Sequence, residues 1–269
     1  MTTPVERQSV PRLYEIIHPE GPRISVFRST EETVLGATFD ALSLIQADPT
    51  ATYLGATGNT YELFWKTFVT ESARYNIDLS QARWSHLDNY VWRPTDYPDG
   101  PGPEDFKQFM IDRLVRPAGI PENHFIGIDG YTNNPAITAF MHQSWLRNQR
   151  VQIAFFGLGP IPEVHLGYMN PNTPMSWGVH RVQLSEATIA RNIARGEHVP
   201  SEALTIGPTN IVQAKNKIIL AFNKPDEIEA ALVAPKSPAV VASMIRGLPN
   251  VHFYLDMASA KPLEKFRHR

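Results

Sequence analysis

Short apolar runs alternate with amphipathic stretches through most of this chain. The first clear run, 23-RISVFRS-29, reads as a strand. Ser29-Thr30-Glu31-Glu32 then has the form of a capping box. Behind it Val34, Leu35, Phe39, Leu42, Leu44 and Ile45 recur at helical spacing. The pattern repeats: residues 51–58 read as a strand, about 60–75 as a helix, and 82–90 as a third strand. After a Pro/Gly/Asp-rich loop at 93–103, the pattern predicts a helix over about 104–116, strand character over 124–130, a helix over 135–148 and a strand over 151–156. Farther on, 179–185, 203–207, 217–223 and 251–257 read as strands, with helices near 186–194, 209–215, 226–233 and 238–246.

Alternation of short apolar strands with helices predicts an α/β fold. The expected form is three layers, α/β/α, around a mainly parallel, doubly wound, Rossmann-like sheet. No internal repeat, low-complexity tract or linker divides the sequence, so residues 1–269 are expected to form one domain, with 1–22 as an N-terminal extension.

Composition narrows the function classes. The 269 residues carry a formal net charge of −2, which argues against an electrostatic grip on nucleic acid or on an anionic membrane surface. No apolar run approaches the roughly 20 residues of a bilayer span. The first 23 residues lack the apolar core of a signal peptide, and a cytoplasmic location is expected. There are no cysteines, which removes disulfides, thiolate nucleophiles and zinc–sulfur sites. The histidines are scattered and no His-x-x-x-His spacing appears, so the sequence suits a metal site poorly; no cofactor is expected.

Open sheets of this class bind ligands beyond the carboxyl ends of their strands. Three strand ends carry chemistry. In 54-LGATGNTYE-62, a glycine before a helix lets backbone N–H groups face an anion, and Thr60 adds a hydroxyl; the same residues also suit an ordinary N-capped turn. In 84-WSHLDNYVW-92, Asp88 is either a turn former or a carboxylate base among aromatic neighbours, where burial would raise its pKa. In 157-GLGPIPEVHLGYMNP-171, Glu163 and His165 pair as an orienting carboxylate and an acid/base, or His165 is a structural histidine bonded to backbone.

Taken together and in order, these stretches resemble the glucosamine-6-phosphate deaminase/isomerase and 6-phosphogluconolactonase superfamily. The phosphate loop of that family is resembled by 56-ATGNT-60, its Asp-Glu-Tyr-Val motif by 88-DNYV-91, and its histidine motif by the segment running through His165 to Pro171. Two further stretches match, 121-PENHFIGIDG-130 and 203-ALTIGPTNIVQAK-215, and the likeness covers about residues 25 to 260, closer to the deaminase branch. It implies that His165 assists opening of the sugar ring, that Asp88 carries a proton between C1 and C2, and that Gly58, Asn59 and Thr60 cradle a phosphate.

Departures from the family pattern shape the rest of the expectation. The family's second acidic residue is Asn89 here, the loop before His165 is two residues longer at Pro160-Ile161-Pro162, and the family's Asp two positions before the histidine is Glu163. The family's relay glutamate, which polarises the histidine, becomes Asn170, and an amide cannot raise imidazole basicity in the same way. A phosphate-contacting arginine falls at Ile189 with Arg191 two residues on, and a phosphate-contacting lysine falls near Asp226 with Lys224 as its substitute. Losing two charge-assisted contacts at roughly 1.5–3 kcal/mol each would make an unmodified hexosamine 6-phosphate a poor substrate.

The expectation is therefore a divergent sugar isomerase moving a proton between C1 and C2 of an aminated aldose or its phosphate, an Amadori-type step that can stop before ammonia release. Phe155, Tyr168, Trp84, Trp92 and Trp177 either line a site for a bulkier substituent or belong to the core. A deaminase proper, a lactonase-like hydrolase and a non-catalytic sugar-phosphate binding protein are the alternatives. The expected partner is a small sugar or sugar phosphate; a homo-oligomer is left open.

Overall fold

A computed structural model describes residues 10–197 and 199–267. Its central sheet has seven strands in the order β1-β2-β10-β9-β6-β3-β4. These are β1 (Tyr14–Ile17), β2 (Arg23–Phe27), β3 (Thr52–Gly55), β4 (Arg83–His86), β6 (Val151–Gly157), β9 (Asn216–Ala221) and β10 (Val251–Asp256). Every pairing is parallel except that of β1 with β2. Helices cover the sheet, so strands such as 52-TYLG-55 and 151-VQIAFF-156 are buried at every position. A parallel sheet covered on both faces needs this continuous apolarity. The mainly parallel α/β fold expected from the sequence is the observed one.

The first helix, α1 (Thr30–Ala47), begins where the pattern places it, and Ser29 Oγ accepts from the Glu32 N–H at 3.3 Å. The reciprocal arm of the box shifts by one residue: Glu32 accepts from the Arg28 N–H instead of that of Ser29. Helix α2 (Asn59–Arg74) follows β3, and α4 (Pro135–Arg147) precedes β6. Strand β1 was not foreseen. It turns back on β2 through 18-HPEGP-22 as an antiparallel edge, inside the stretch read as an extension.

Residues 82–90 do not form one strand. The chain leaves the central sheet at Leu87, whose N–H donates to Gly55 O while its own carbonyl accepts from the Ile206 N–H. Beyond this hand-over, β5 (Asp88–Tyr90) joins β7 (His180–Gln183) and β8 (Glu202–Thr205) in a separate antiparallel sheet of order β5-β8-β7. Helix α5 (Glu186–Ala194) spans the connection between β7 and β8. Asp88 thus lies where the two sheets meet.

Residues 124–130 are not a strand either. Their backbone is satisfied by side chains and single bridges: the Ile128 N–H donates to His86 Nε2 at 2.7 Å, and Ile128 O accepts from Asn89 Nδ2 at 3.0 Å. The helices expected at 104–116 and 226–233 each start as a short α-helical turn, α3 (Phe106–Met110) and α7 (Pro225–Ile228), and then widen. The Arg116 and Ala234 N–H groups reach back five residues, to Ile111 and Glu229. At 238–246 only a tight helical turn over 241–245 forms. Helix α6 (Pro208–Gln213) and the last short helix, α8 (Met257–Ala260), follow β8 and β10.

Candidate active site

The carboxyl ends of β3 and β6 open on a polar cavity of about 180 Å³, the place a parallel sheet reserves for ligands. Its walls include Thr57, Gly58, Asn59 and Thr60 after β3, Asp88 at the start of β5, His165 in the loop after β6, Thr188, Arg191 and Arg195 on or just beyond α5, and Lys224 after β9. Sequence positions far apart therefore meet in one small space.

Asp88 and Tyr90 project to the same side of β5, and Asn89 to the other. Asn89 is tied down there, with its amide donating to Asp105 Oδ1 at 2.6 Å and accepting from the Phe106 N–H at 3.0 Å, which anchors the start of α3. Asp88 is buried, with no side-chain hydrogen bond among the described residues. Burial pushes its carboxyl up to about 7. A carboxylate held near neutral pH in a cavity can both take and give a proton.

His165 is fixed by two contacts. Its Nδ1–H donates to the Gly167 carbonyl, and its Nε2 lies 3.3 Å from Thr188 Oγ1. Since a carbonyl can only accept, the proton of the neutral ring sits on Nδ1 and Nε2 keeps its lone pair. Burial lowers the imidazole to about 4, opposed by the Gly167 carbonyl and reinforced by Lys224 and Arg191. The histidine is therefore neutral at physiological pH. Gly159 makes room for it: a Cβ there would fall 2.4 Å from the ring. Gly167, at φ +59, sits in the left-handed region, where a Cβ would also press on Thr205 and Asp88.

The other end of the cavity is cationic. Helix α2 starts at Gly58, φ +81, with no side chain capping its first turn, so that end presents backbone N–H groups and the positive end of the helix dipole. Lys224, Arg191 and Arg195 join it. Among the described residues none of the three makes a salt bridge. Lys224 instead donates to the Leu158 carbonyl, and burial brings its ammonium down to about 8. Three cations without carboxylate partners beside a free helix start suit an anion.

Two residues named from sequence are not part of this arrangement. Asn170 donates to the Gln183 carbonyl at 3.0 Å, away from His165, and borders a different cavity. Glu163 makes no hydrogen bond to the imidazole; its backbone carbonyl accepts from the Val241 N–H. The expected carboxylate partner of His165 is replaced by a backbone carbonyl and a threonine hydroxyl. The aromatic lining is also corrected, since Trp84, Trp92 and Phe155 are core residues, Trp177 is exposed, and only Tyr168 borders the site. Thr188 and Arg195 were missed. Their signal is the helical spacing 188, 191, 192, 195, which brings Thr188, Arg191, Asn192 and Arg195 to one wall.

The second cavity, about 330 Å³ and mostly apolar, lies among Met169, Met175, Ile211, Val241 and Met244 and holds none of the acid/base groups. Although it is the larger, the titratable side chains line the polar one. Among the described residues no cluster of His, Asp and Glu is arranged to hold a metal, and no helix is long and apolar enough to cross a membrane.

Known proteins share this fold. No family model matches the chain. Over 214 residues it is 27% identical to the glucosamine-6-phosphate deaminase of Lactobacillus helveticus, covering 78% of this chain and 84% of that protein. Over 215 residues it is 28% identical to that of Streptococcus pneumoniae, covering 78% and 86%. A monomeric glucosamine-6-phosphate deaminase superposes with a TM-score of 0.79 at 22% identity, over 89% of this chain and 99% of the other. The 6-phosphogluconolactonase of Trypanosoma brucei gives 0.69 at 20% identity, over 90% and 98%. Fold and cavity define an α/β protein with a polar cavity at the sheet's carboxyl edge. In sequence the chain is similar to glucosamine-6-phosphate deaminases, and its fold is shared with them and with 6-phosphogluconolactonases.

Proposed function

We propose that this enzyme moves a proton between C1 and C2 of a 2-amino aldose phosphate, giving the ketose phosphate and ammonia. The observation that carries the reading is one cavity holding an unbonded carboxylate near neutral pKa, a neutral imidazole whose Nε2 carries the lone pair, and three cations without a salt bridge among the described residues. The phosphate binds the start of α2 together with Lys224, Arg191 and Arg195. His165 Nε2 takes the anomeric hydroxyl proton and returns it to the ring oxygen, which opens the sugar. Asp88 takes the C2 proton and delivers it to C1 while a proton passes from the amino nitrogen to O1, leaving a C1 hydroxyl and an imine at C2 that water hydrolyses to the ketone and ammonia.

Arrest before ammonia release was expected because Asn170 stands where a relay carboxylate would. Asn170 faces Gln183, so that reason loses its force. Arg195 also supplies a cation that the sequence comparison did not count, which favours an unmodified phosphate sugar. The test is incubation with glucosamine 6-phosphate in deuterated water, following ketose, ammonia and deuterium at C1. Ketose and ammonia in equal amounts are expected. Ketose without ammonia would restore the isomerase reading, and no turnover of this sugar alongside hydrolysis of 6-phosphogluconolactone would replace both with the lactonase reading.

A further inference from the structure

His165 has no acidic partner in the cavity, yet its ring is held at both nitrogens. The contact at Nδ1 comes from its own loop, through Gly167 O. The contact at Nε2 comes from another element, α5, through Thr188 Oγ1 at 3.3 Å. Thr188 is itself oriented: Ser185, the N-cap of α5, donates to its hydroxyl oxygen at 3.1 Å and accepts from its backbone N–H at 3.3 Å. With its oxygen already accepting from Ser185, the Thr188 hydroxyl directs its own hydrogen to the nitrogen that lacks one. Donation runs from Ser185 to Thr188 and from Thr188 to His165 Nε2, which accepts. Thr188 and His165 are both buried, which strengthens a hydrogen bond between them.

We propose that Thr188 is the positioning residue that aims His165 Nε2 at the substrate, a role played by a neutral hydroxyl from α5 in place of a carboxylate. The proposal rests on the reaction reading above for its kinetic consequence and on geometry alone for the contact. A threonine suits the task because it holds the ring without adding charge. A carboxylate at this point would stabilise imidazolium and oppose the neutral base that burial maintains. At 3.3 Å the bond is long enough to be exchanged for one to a substrate hydroxyl, and until that exchange it keeps the ring turned toward the cavity.

The test uses T188V, which keeps the shape and removes the hydroxyl, and T188S, which keeps the hydroxyl and removes the methyl; T188A stands in should the valine variant not fold. Nitrogen NMR of labelled His165 reads the contact directly. The Nε2 resonance is expected to move in T188V and to stay near its wild-type position in T188S. With glucosamine 6-phosphate, kcat is expected to fall about 10- to 100-fold in T188V with KM changed by less than about 3-fold, and T188S is expected to recover most of the loss. An unmoved Nε2 resonance in T188V overturns the proposal whatever the rate does. A moved resonance with wild-type kcat, or a T188S variant as slow as T188V, overturns it too. If the wild-type protein does not turn over this sugar, the reaction reading fails, while the resonance still decides whether Thr188 holds the histidine.

Discussion

The two ends of the polar cavity are built on opposite principles. At one end Asp88, His165 and Thr188 are buried, and burial moves both titratable groups toward their neutral forms. At the other, Lys224 and Arg191 are half-buried and Arg195 is exposed; burial brings Lys224 down only to about 8, so all three still carry charge near neutral pH. Proton transfer here needs a carboxyl poised near neutral pH and a base that starts uncharged, and a low-dielectric pocket supplies both. Anchoring an anion needs charge that stays on, and partial exposure preserves it at the cost of strength. Substitutions at the first end should therefore act on kcat, and at the second on KM.

The largest effect is expected at Asp88. Asp88→Asn keeps the shape and should slow exchange of the substrate C2 hydrogen with solvent by about 10²–10⁴-fold. The same variant should gain stability. Below pH 4 the wild-type carboxyl is protonated whether the chain is folded or not. As pH rises from about 4 to 7 the unfolded chain releases this proton and the folded one keeps it, so stability falls. Above 7 the full penalty, on the order of 4 kcal/mol, is in place. Melting of Asp88→Asn should thus exceed wild type at pH 8, with the gap closing toward pH 4. A gap independent of pH would mean that Asp88 is not held at a raised pKa.

Much of the acid/base end was legible because strand ends are short, apolar and easy to place, and Asp88 and His165 each follow one. What was not legible is instructive. Nothing in 82-ARWSHLDNY-90 marks the hand-over at Leu87, since the break is made by backbone bonds to Gly55 and Ile206, both distant in sequence. The direction of the Asn170 side chain depends on Gln183, thirteen residues on, and an alignment of motifs cannot carry that. Thr188 reads as an ordinary first-turn residue capped by Ser185, and only the fold brings it to His165. The edge strand β1 hides for a different reason: 14-YEII-17 is too short for a pattern, although the Pro/Gly turn after it was a usable signal.

A smaller effect is expected at the cationic end. Arg191→Ala with Arg195→Ala should raise KM about 10-fold and leave kcat within about 3-fold, each contact being reduced by solvent to about 1 kcal/mol or less. The wild-type KM should also rise with ionic strength, and the double variant should lose most of that dependence. Inorganic phosphate as a competitive inhibitor gives the same reading without turnover. Equal inhibition of wild type and double variant would remove both arginines from the anion site. A fall in kcat as large as that in Asp88→Asn would erase the proposed division between the two ends.

The smallest effect is expected at Asn170, where sequence comparison alone would place a large one. If position 170 governed the basicity of His165, Asn170→Glu would raise the imidazole pKa and speed ring opening. The amide instead donates to the Gln183 carbonyl, and both nitrogens of His165 are already engaged, by Gly167 O and Thr188 Oγ1. A carboxylate at 170 would lose the bond to Gln183 O, since it has no proton to donate, and would turn toward solvent or the apolar cavity beside it. The cost should be local and near 1 kcal/mol. Titration of His165 by NMR should therefore give the same midpoint in both proteins, and kcat should agree within about 2-fold. A raised midpoint in Asn170→Glu would show that the segment after His165 can turn to bring residue 170 onto the ring. In that case the acid/base end would be less fixed than its two hydrogen bonds imply, and the contrast with the cationic end would have to be redrawn.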